Sequence, residues 1–170
     1  VVACGKTLKG LQALTEAIRE RRVRKYYRCV VCGDMDGSMH LSGYLLKDEK
    51  ANKVYYYDKK PNDSAVHIET VYDTVKSYGK VSLLNIELIT GKTHQIRAHL
   101  AYIGHALLGD GKYGNNKLNK KYGFKYQALC SYELQFKFTT DAGCLSYLDG
   151  KCFKAKAPDF VKMFGSNIKL

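Results

Sequence analysis

Residues 80–89 read as a strand that runs without a break into Thr90-Gly91-Lys92-Thr93 and then into a helical stretch over 94–102. A strand that passes through a glycine turn into a helix fixes the placement of two elements at once, and no other segment constrains the fold as tightly. Along the helix Ile96, Leu100 and Ile103 form the apolar stripe and Gly104 ends it. His94 and Arg97 stand at i and i+3, on one face. That polar face is free to line a cleft beside the strand ends. An arginine fixed on a helix can grip a carboxylate by two parallel hydrogen bonds, keeping it ionised and aimed. A solvated helix face, or polar groups satisfied within a core, would show the same residues.

The rest of the chain reads as strands with few helices. Leu8, Leu11, Leu14 (or Ala13), Ala17 and Ile18 recur at helical spacing over 7–21, with Thr7 as N-cap. Strands are predicted at 26–31, 43–46, 53–57 and 66–72, with a turn around Gly33, Asp36 and Gly37 after the first. A strand pair is predicted around a turn at 141–143, with Leu134, Phe136 and Phe138 alternating on one arm and Leu145, Tyr147 or their neighbours on the other. A short helix over 159–164, led in by Pro158, closes the chain. Strands and helices do not alternate strictly, so the fold class is α+β: a mixed, mainly antiparallel sheet carrying a few helices. No repeat, low-complexity tract or linker divides residues 1–170, and a single domain follows.

The 28 Lys and Arg against 16 Asp and Glu leave a net charge of +12 with His neutral, which suits a polyanionic partner. Arg19, Arg21, Arg22, Arg24, Lys25 and Arg28 crowd one junction. Lys117, Lys120, Lys121 and Lys125 crowd another, interleaved with Tyr113, Tyr122 and Tyr126; the rings could stack exposed bases, but a solvated helix face with some core tyrosines is the preferred reading of this cluster. No segment has the ~18 consecutive apolar residues of a membrane span, and a cytoplasmic protein is expected. The six cysteines lie in apolar stretches rather than in a disulfide framework, as reduced thiols do. Cys29-x-x-Cys32 lies in a strand, which sends its two side chains to opposite faces, so a metal site built on it is disfavoured. His94 and His99 are five apart and lack the i, i+4 pairing of a helical zinc site. Gly91-Lys92-Thr93 has no earlier glycine at P-loop spacing, which argues against nucleotide hydrolysis.

Leu88, Thr90-Gly91-Lys92-Thr93-His94-Gln95-Ile96-Arg97, His99-Leu100-Ala101, Ile103-Gly104-His105, Gly109-Asp110 and Tyr113-Gly114 together closely resemble the signature of RluA-type RNA pseudouridine synthases. The resemblance extends upstream to 21–27 and downstream to 129–138 and 153–160, so it covers essentially the whole chain. Lys92 stands where arginine is common, Ala106 and Gly111 where prolines are common, and Cys130-Ser131 where His-Ala is frequent. The resemblance implies isomerisation of specific uridines to pseudouridine in structured ribosomal or transfer RNA, with no metal or organic cofactor. Carried over by position, it implies that Arg97 pairs with the family's nucleophilic aspartate and that Tyr27 packs against the target base. Lys92 and His94 would lie at the cleft rim, with Arg22, Arg24 and Lys25 as further RNA contacts. The aspartate belongs to a His-Arg-Leu-Asp motif, expected upstream of Val1, so the N-terminal part of the fold and the nucleophile are expected to be missing and the chain alone to be inactive. An unpaired sheet edge is expected to favour self-association. A non-catalytic RNA-binding module that keeps the fold is the alternative.

Overall fold

The computed structural model describes residues 1–163. A seven-stranded sheet carries four α-helices and one 3-10 helix among these residues. In chain order they are α1 (Leu8–Arg19), β1 (Val23–Cys32), β2 (Ser38–Asp48), β3 (Lys53–Tyr57), β4 (Val66–Ser77), β5 (Val81–Leu88), α2 (Gln95–Tyr102), α3 (Asn116–Lys121), β6 (Leu129–Phe136), the 3-10 helix Gly143–Leu148, β7 (Cys152–Lys154) and α4 (Asp159–Met163). The strand order is β3-β2-β4-β5-β1-β6-β7, and each neighbouring pair is antiparallel. The α+β reading holds, with an antiparallel sheet where a mixed one was allowed. Among the described residues no helix is long and apolar enough to cross a membrane.

Alternation along β1 divides the core between the two faces of the sheet. Cys29 and Val31 join Leu41, Tyr72, Leu84, Ile86 and Leu88 beneath Ile96 and Leu100 of α2. Val30 and Cys32 join Val81, Leu83, Leu108 and Ala128 on the other face, covered by Leu118 of α3 and Phe160 and Val161 of α4. Cys29 and Cys32 thus sit in different cores, as strand geometry demands, and all six cysteines are free thiols. Each fully buried Leu, Ile or Val contributes roughly 1.5–3 kcal/mol over its exposed state.

Thr7 caps α1 as read from the sequence, its Oγ1 accepting from the Gly10 amide at 3.1 Å. The predicted stripe is only half used. Leu14 and Ala17 are buried against Val23, Leu134 and Phe136, whereas Leu8, Leu11 and Ile18 are exposed.

Two further departures concern the C-terminal third. The return arm of the predicted strand pair is not 145–147: β6 pairs instead with β7, through Leu134↔Phe153. Residues Gly143–Leu148 coil into the 3-10 helix because Leu145 and Leu148, three apart, both reach the α1 core, and Asp141 caps the turn through the Gly143 amide at 2.8 Å. No periodicity marks a helix at 116–121, yet α3 forms there with Lys117, Lys120 and Lys121 as a solvated face, and Asn115 caps it by accepting from the Lys117 and Leu118 amides at 2.9 and 3.3 Å. The closing helix begins at Asp159 as predicted; Phe164 lies outside the described residues.

A strand arm would place Leu145 and Tyr147 on one face, whereas the 3-10 turn buries the first and leaves the second 67% exposed. Leu145→Ala is therefore expected to cost about 2–4 kcal/mol and Tyr147→Ala within about 0.5 kcal/mol, both read from urea unfolding midpoints.

Candidate active site

The end of β5 and the start of α2 are joined through a buried amide. Gln95 Oε1 accepts from Thr90 Oγ1 at 2.9 Å and from the Lys92 amide at 3.1 Å. Its Nε2 donates to the Glu69 carbonyl at 2.9 Å and to Thr70 Oγ1 at 3.0 Å. Every hydrogen-bonding site of this side chain is engaged, and the Thr90–Thr93 turn is pinned to β4 from inside. His99, one turn along α2, is fully buried, contacts Thr70 Oγ1 through Nδ1 at 3.1 Å and stacks on Tyr56 at 4.7 Å. Burial drives its pKa down from 6.5 to about 4, so it is neutral in the folded protein.

The polar face of α2 meets the loop that follows it. Arg97 grips Asp110 by two parallel hydrogen bonds, Nε to Oδ2 at 2.7 Å and Nη2 to Oδ1 at 2.9 Å. Asp110 is fully buried, and Oδ1 also accepts from the Lys112 and Tyr113 amides at 2.8 and 3.0 Å. Burial raises the pKa of this carboxyl, but the Arg97 guanidinium and the two amides outweigh it and hold the group below the usual aspartate value. The loop is shaped for the contact from both sides. Asn119 of α3 accepts from the Gly109 amide at 2.8 Å and donates to the Asp110 carbonyl at 3.1 Å. Gly109 has φ +79, and a Cβ there would fall 2.0 Å from the Tyr126 carbonyl oxygen, so only glycine fits.

Tyr113 draws these groups together. Its ring lies under the Arg97 guanidinium at 4.9 Å and near the Lys53 ammonium at 5.1 Å. Its hydroxyl accepts from the Val54 amide at 2.9 Å and lies 3.0 Å from His94 Nδ1. The β2–β3 hairpin is thereby latched onto the head of α2. His94 occupies the N-cap position of α2 in the left-handed region (φ 56), and burial followed by the charges of Arg97 and Lys112 lowers its pKa.

The predicted site residues are only partly brought together. Arg97 is not aimed into solvent: its side chain is 12% exposed, and the carboxylate it holds here is Asp110. Tyr27 is half-buried on the sheet face that α2 covers, opposite Ile86 of β5 and Ser131 of β6. Lys25 lies on the same face by alternation, with its Nζ against the Gly91 turn, and Lys92 is exposed on that turn. Arg24 points to the opposite face, 3.9 Å from Glu87. Arg22 is turned inward, paired with Glu20 at 2.8 Å and packed over Phe138. Those two stand apart from the Arg97 pair. The sequence reading missed Asp110 as the partner of Arg97, and Tyr113 as its platform. Both sit in the quoted Gly109-Asp110 and Tyr113-Gly114 segments, but no periodicity assigns a loop residue to a particular arginine.

A family profile described as RNA pseudouridylate synthase matches residues 1–102. The chain belongs to that family. Among its relatives are an uncharacterized RNA pseudouridine synthase of Mycoplasma genitalium, 34% identical over 80% of this chain and 43% of the relative, and the ribosomal large subunit pseudouridine synthase C of Vibrio cholerae, 26% identical over 80% and 43%. The human RNA pseudouridylate synthase domain containing 1 superposes with a TM-score of 0.69 at 20% identity, over 91% of this chain and 62% of that one, which establishes the pseudouridine synthase fold. The chain thus spans less than half the length of these two bacterial relatives. It is an RluA-like member of the pseudouridine synthase family.

Asp110→Asn removes the charge that Arg97 is buried against and is expected to cost about 3–5 kcal/mol in urea unfolding. Because His99 stays neutral when folded, the unfolded chain takes up a proton between pH 6.5 and about 4 that the folded protein refuses. Stability should be unaffected by this group above that window and fall as pH is lowered through it. His99→Gln, which cannot titrate, should make the slope of unfolding free energy against pH shallower there.

Proposed function

We propose that this chain forms the greater part of the catalytic domain of a synthase that converts specific uridines to pseudouridine in structured ribosomal or transfer RNA. Family membership supports the chemistry, and the relatives named for the ribosomal large subunit support an RNA substrate. The observation that carries the reading is Arg97: a guanidinium anchored at the head of α2 by Asp110, nearly withdrawn from water, with Tyr27 on the sheet face that α2 covers.

In this reading a uridine is flipped out of its helix or loop, which costs a few kcal/mol offset in part by stacking on Tyr27. A carboxylate displaces N1 from C1′, the uracil turns, C5 displaces the carboxylate from C1′, and the C5 proton leaves to water while N1 takes one up. Nε and Nη2 of Arg97 are occupied by Asp110, which leaves Nη1 to orient the nucleophile. The Val1 amine bonds the Ser131 carbonyl at 2.7 Å, and Ser131 is the cross-strand partner of Tyr27, so the first residues of this chain run beside that tyrosine. The 170 residues contain no His-Arg-Leu-Asp motif, and in this reading the nucleophile comes from outside them. The isolated chain is then inactive, although Lys25, Lys92 and His94 leave it able to bind RNA. Cytoplasmic location belongs to the same proposal.

Tritium release from [5-³H]uridine RNA tests it. The chain extended through its upstream coding sequence should release tritium and the 170 residues alone should not; Arg97→Ala in the extended protein should lower the rate by roughly 10²-fold or more. Near-normal release by that variant would remove Arg97 from the chemistry, and RNA binding without any release by the extended protein would favour the non-catalytic module.

Self-association is proposed to use the β7 edge, a three-residue strand whose side chains are all exposed. Light scattering at rising concentration should show a growing mean mass; a constant monomer mass would refute it.

A further inference from the structure

Among the described residues, Lys25, on the same strand face as Tyr27, has no counterion. Lys25 lies on β1 between Val23, which packs beneath α1, and Tyr27, which packs at the edge of the α2 core. It is therefore at the floor of the gap between the two helices. Its side chain is half-buried, and among the described residues it makes no hydrogen bond or ion pair. Burial and then the charge of Arg21 hold its pKa below the ordinary lysine value. Arg21 cannot relieve it, being itself a cation occupied with Glu69 at 3.2 Å.

The ammonium is not loosely placed. A Cβ built on Gly91 would lie 3.1 Å from Lys25 Nζ, so the amine rests against the bare backbone of the turn between β5 and α2. That turn is itself pinned by Gln95. Lys92, the next residue on the turn, is exposed and its side chain is likewise without an ion pair. One unneutralised cation thus rests against the glycine turn and a second is carried on it. Withdrawing an ammonium from water costs free energy unless an anion meets it. A fixed glycine turn with a lysine beneath it and another beside it offers such an anion a defined seat.

We infer that Lys25, against the Gly91 turn, and Lys92, carried on it, form a seat for one backbone phosphate of the RNA, adjoining the nucleotide that stacks on Tyr27. Lys25 and Tyr27 are two residues apart on one strand face, so their Cα atoms are ~6.6 Å apart at the usual rise per residue, within the span of a single nucleotide. The phosphate contact fixes register while the ring takes the base. Arg24 on the opposite face and Arg22 in its pair with Glu20 are excluded from this seat. The inference rests on the RNA-binding reading above and goes beyond it in assigning a single phosphate to two named lysines.

The test is equilibrium binding of the 170-residue chain to a short uridine-containing RNA, and to a set of the same RNA with a neutral methylphosphonate at each phosphate in turn. Lys25→Met, which keeps the apolar stem, is expected to weaken binding of the unmodified RNA about tenfold and to lower the slope of log K against log salt by about 0.7. Lys60→Met, which removes a lysine paired with Asp63 away from the turn, should change neither. One methylphosphonate position next to the stacked uridine should weaken the wild-type chain by the same factor and have little further effect on Lys25→Met. Equal losses from Lys25→Met and Lys60→Met, or losses from Lys25→Met that add to those of every methylphosphonate, would overturn the seat while leaving RNA binding intact. No salt-dependent binding by the wild-type chain would overturn the RNA-binding reading itself. The methylphosphonate scan on the wild-type chain requires no variant to fold.

Discussion

A buried carboxylate and a nearly buried guanidinium hold the α2 end of this molecule together. Charges removed from water are costly, and their attraction offsets the cost only with good geometry and with the remaining lone pairs occupied. Both conditions are met, by the parallel pair of bonds between Arg97 and Asp110 and by the two amides that fill the rest of Oδ1. The consequence spreads outward. The loop around Asp110 must wind tightly, which requires Gly109 and the clamp from Asn119, and Tyr113 leaves that loop to carry the β2–β3 hairpin. Helix, loop and hairpin are organised by one ion pair.

Behind it lies a second, uncharged network. Gln95, Thr70, Thr90 and His99 knit β4, the turn and α2 with no net charge, and His99 is held neutral to belong there. One polar atom, His99 Nε2, has no partner in this network. The division is physical: the inside of α2 carries neutral polar groups that specify position, and its outer edge carries the ion pair beside Tyr113.

Much of this was legible in the sequence where local rules decide. The strand–turn–helix of 80–102, the Thr7 cap and the whole of β3 follow from periodicity and capping chemistry. What stayed hidden depends on partners distant in the chain. Leu8, Leu11 and Ile18 have the spacing of a buried stripe, but no described element covers them. Leu145 and Tyr147 alternate like strand residues, but the α1 core selects a three-residue period instead. The helical period puts Arg97 on α2, where the structure has it, yet the carboxylate it engages comes from a loop whose path only Gly109 and Asn119 explain. The cations of 19–28 looked like one cluster in sequence; strand alternation sends Arg24 and Lys25 to opposite faces.

The ladder between β1 and β6 contains an irregularity at the same level as Tyr27. Tyr26 faces Glu133 and Tyr27 faces Ser131, so Tyr132 is the extra residue, and its ring lies 3.9 Å from the Arg28 guanidinium. From Leu134 onward the even-numbered residues of β6 face α1; before Tyr132 it is Leu129 and Ser131 that share the side of Tyr27. Tyr132 thus acts as a phase shifter. Because one unpaired residue absorbs the change in parity, the stretch carrying Ser131 is insulated from the stretch anchored by Leu134 and Phe136, and an adjustment of shape beside Tyr27 need not slip the register of the hydrophobic layer next to it.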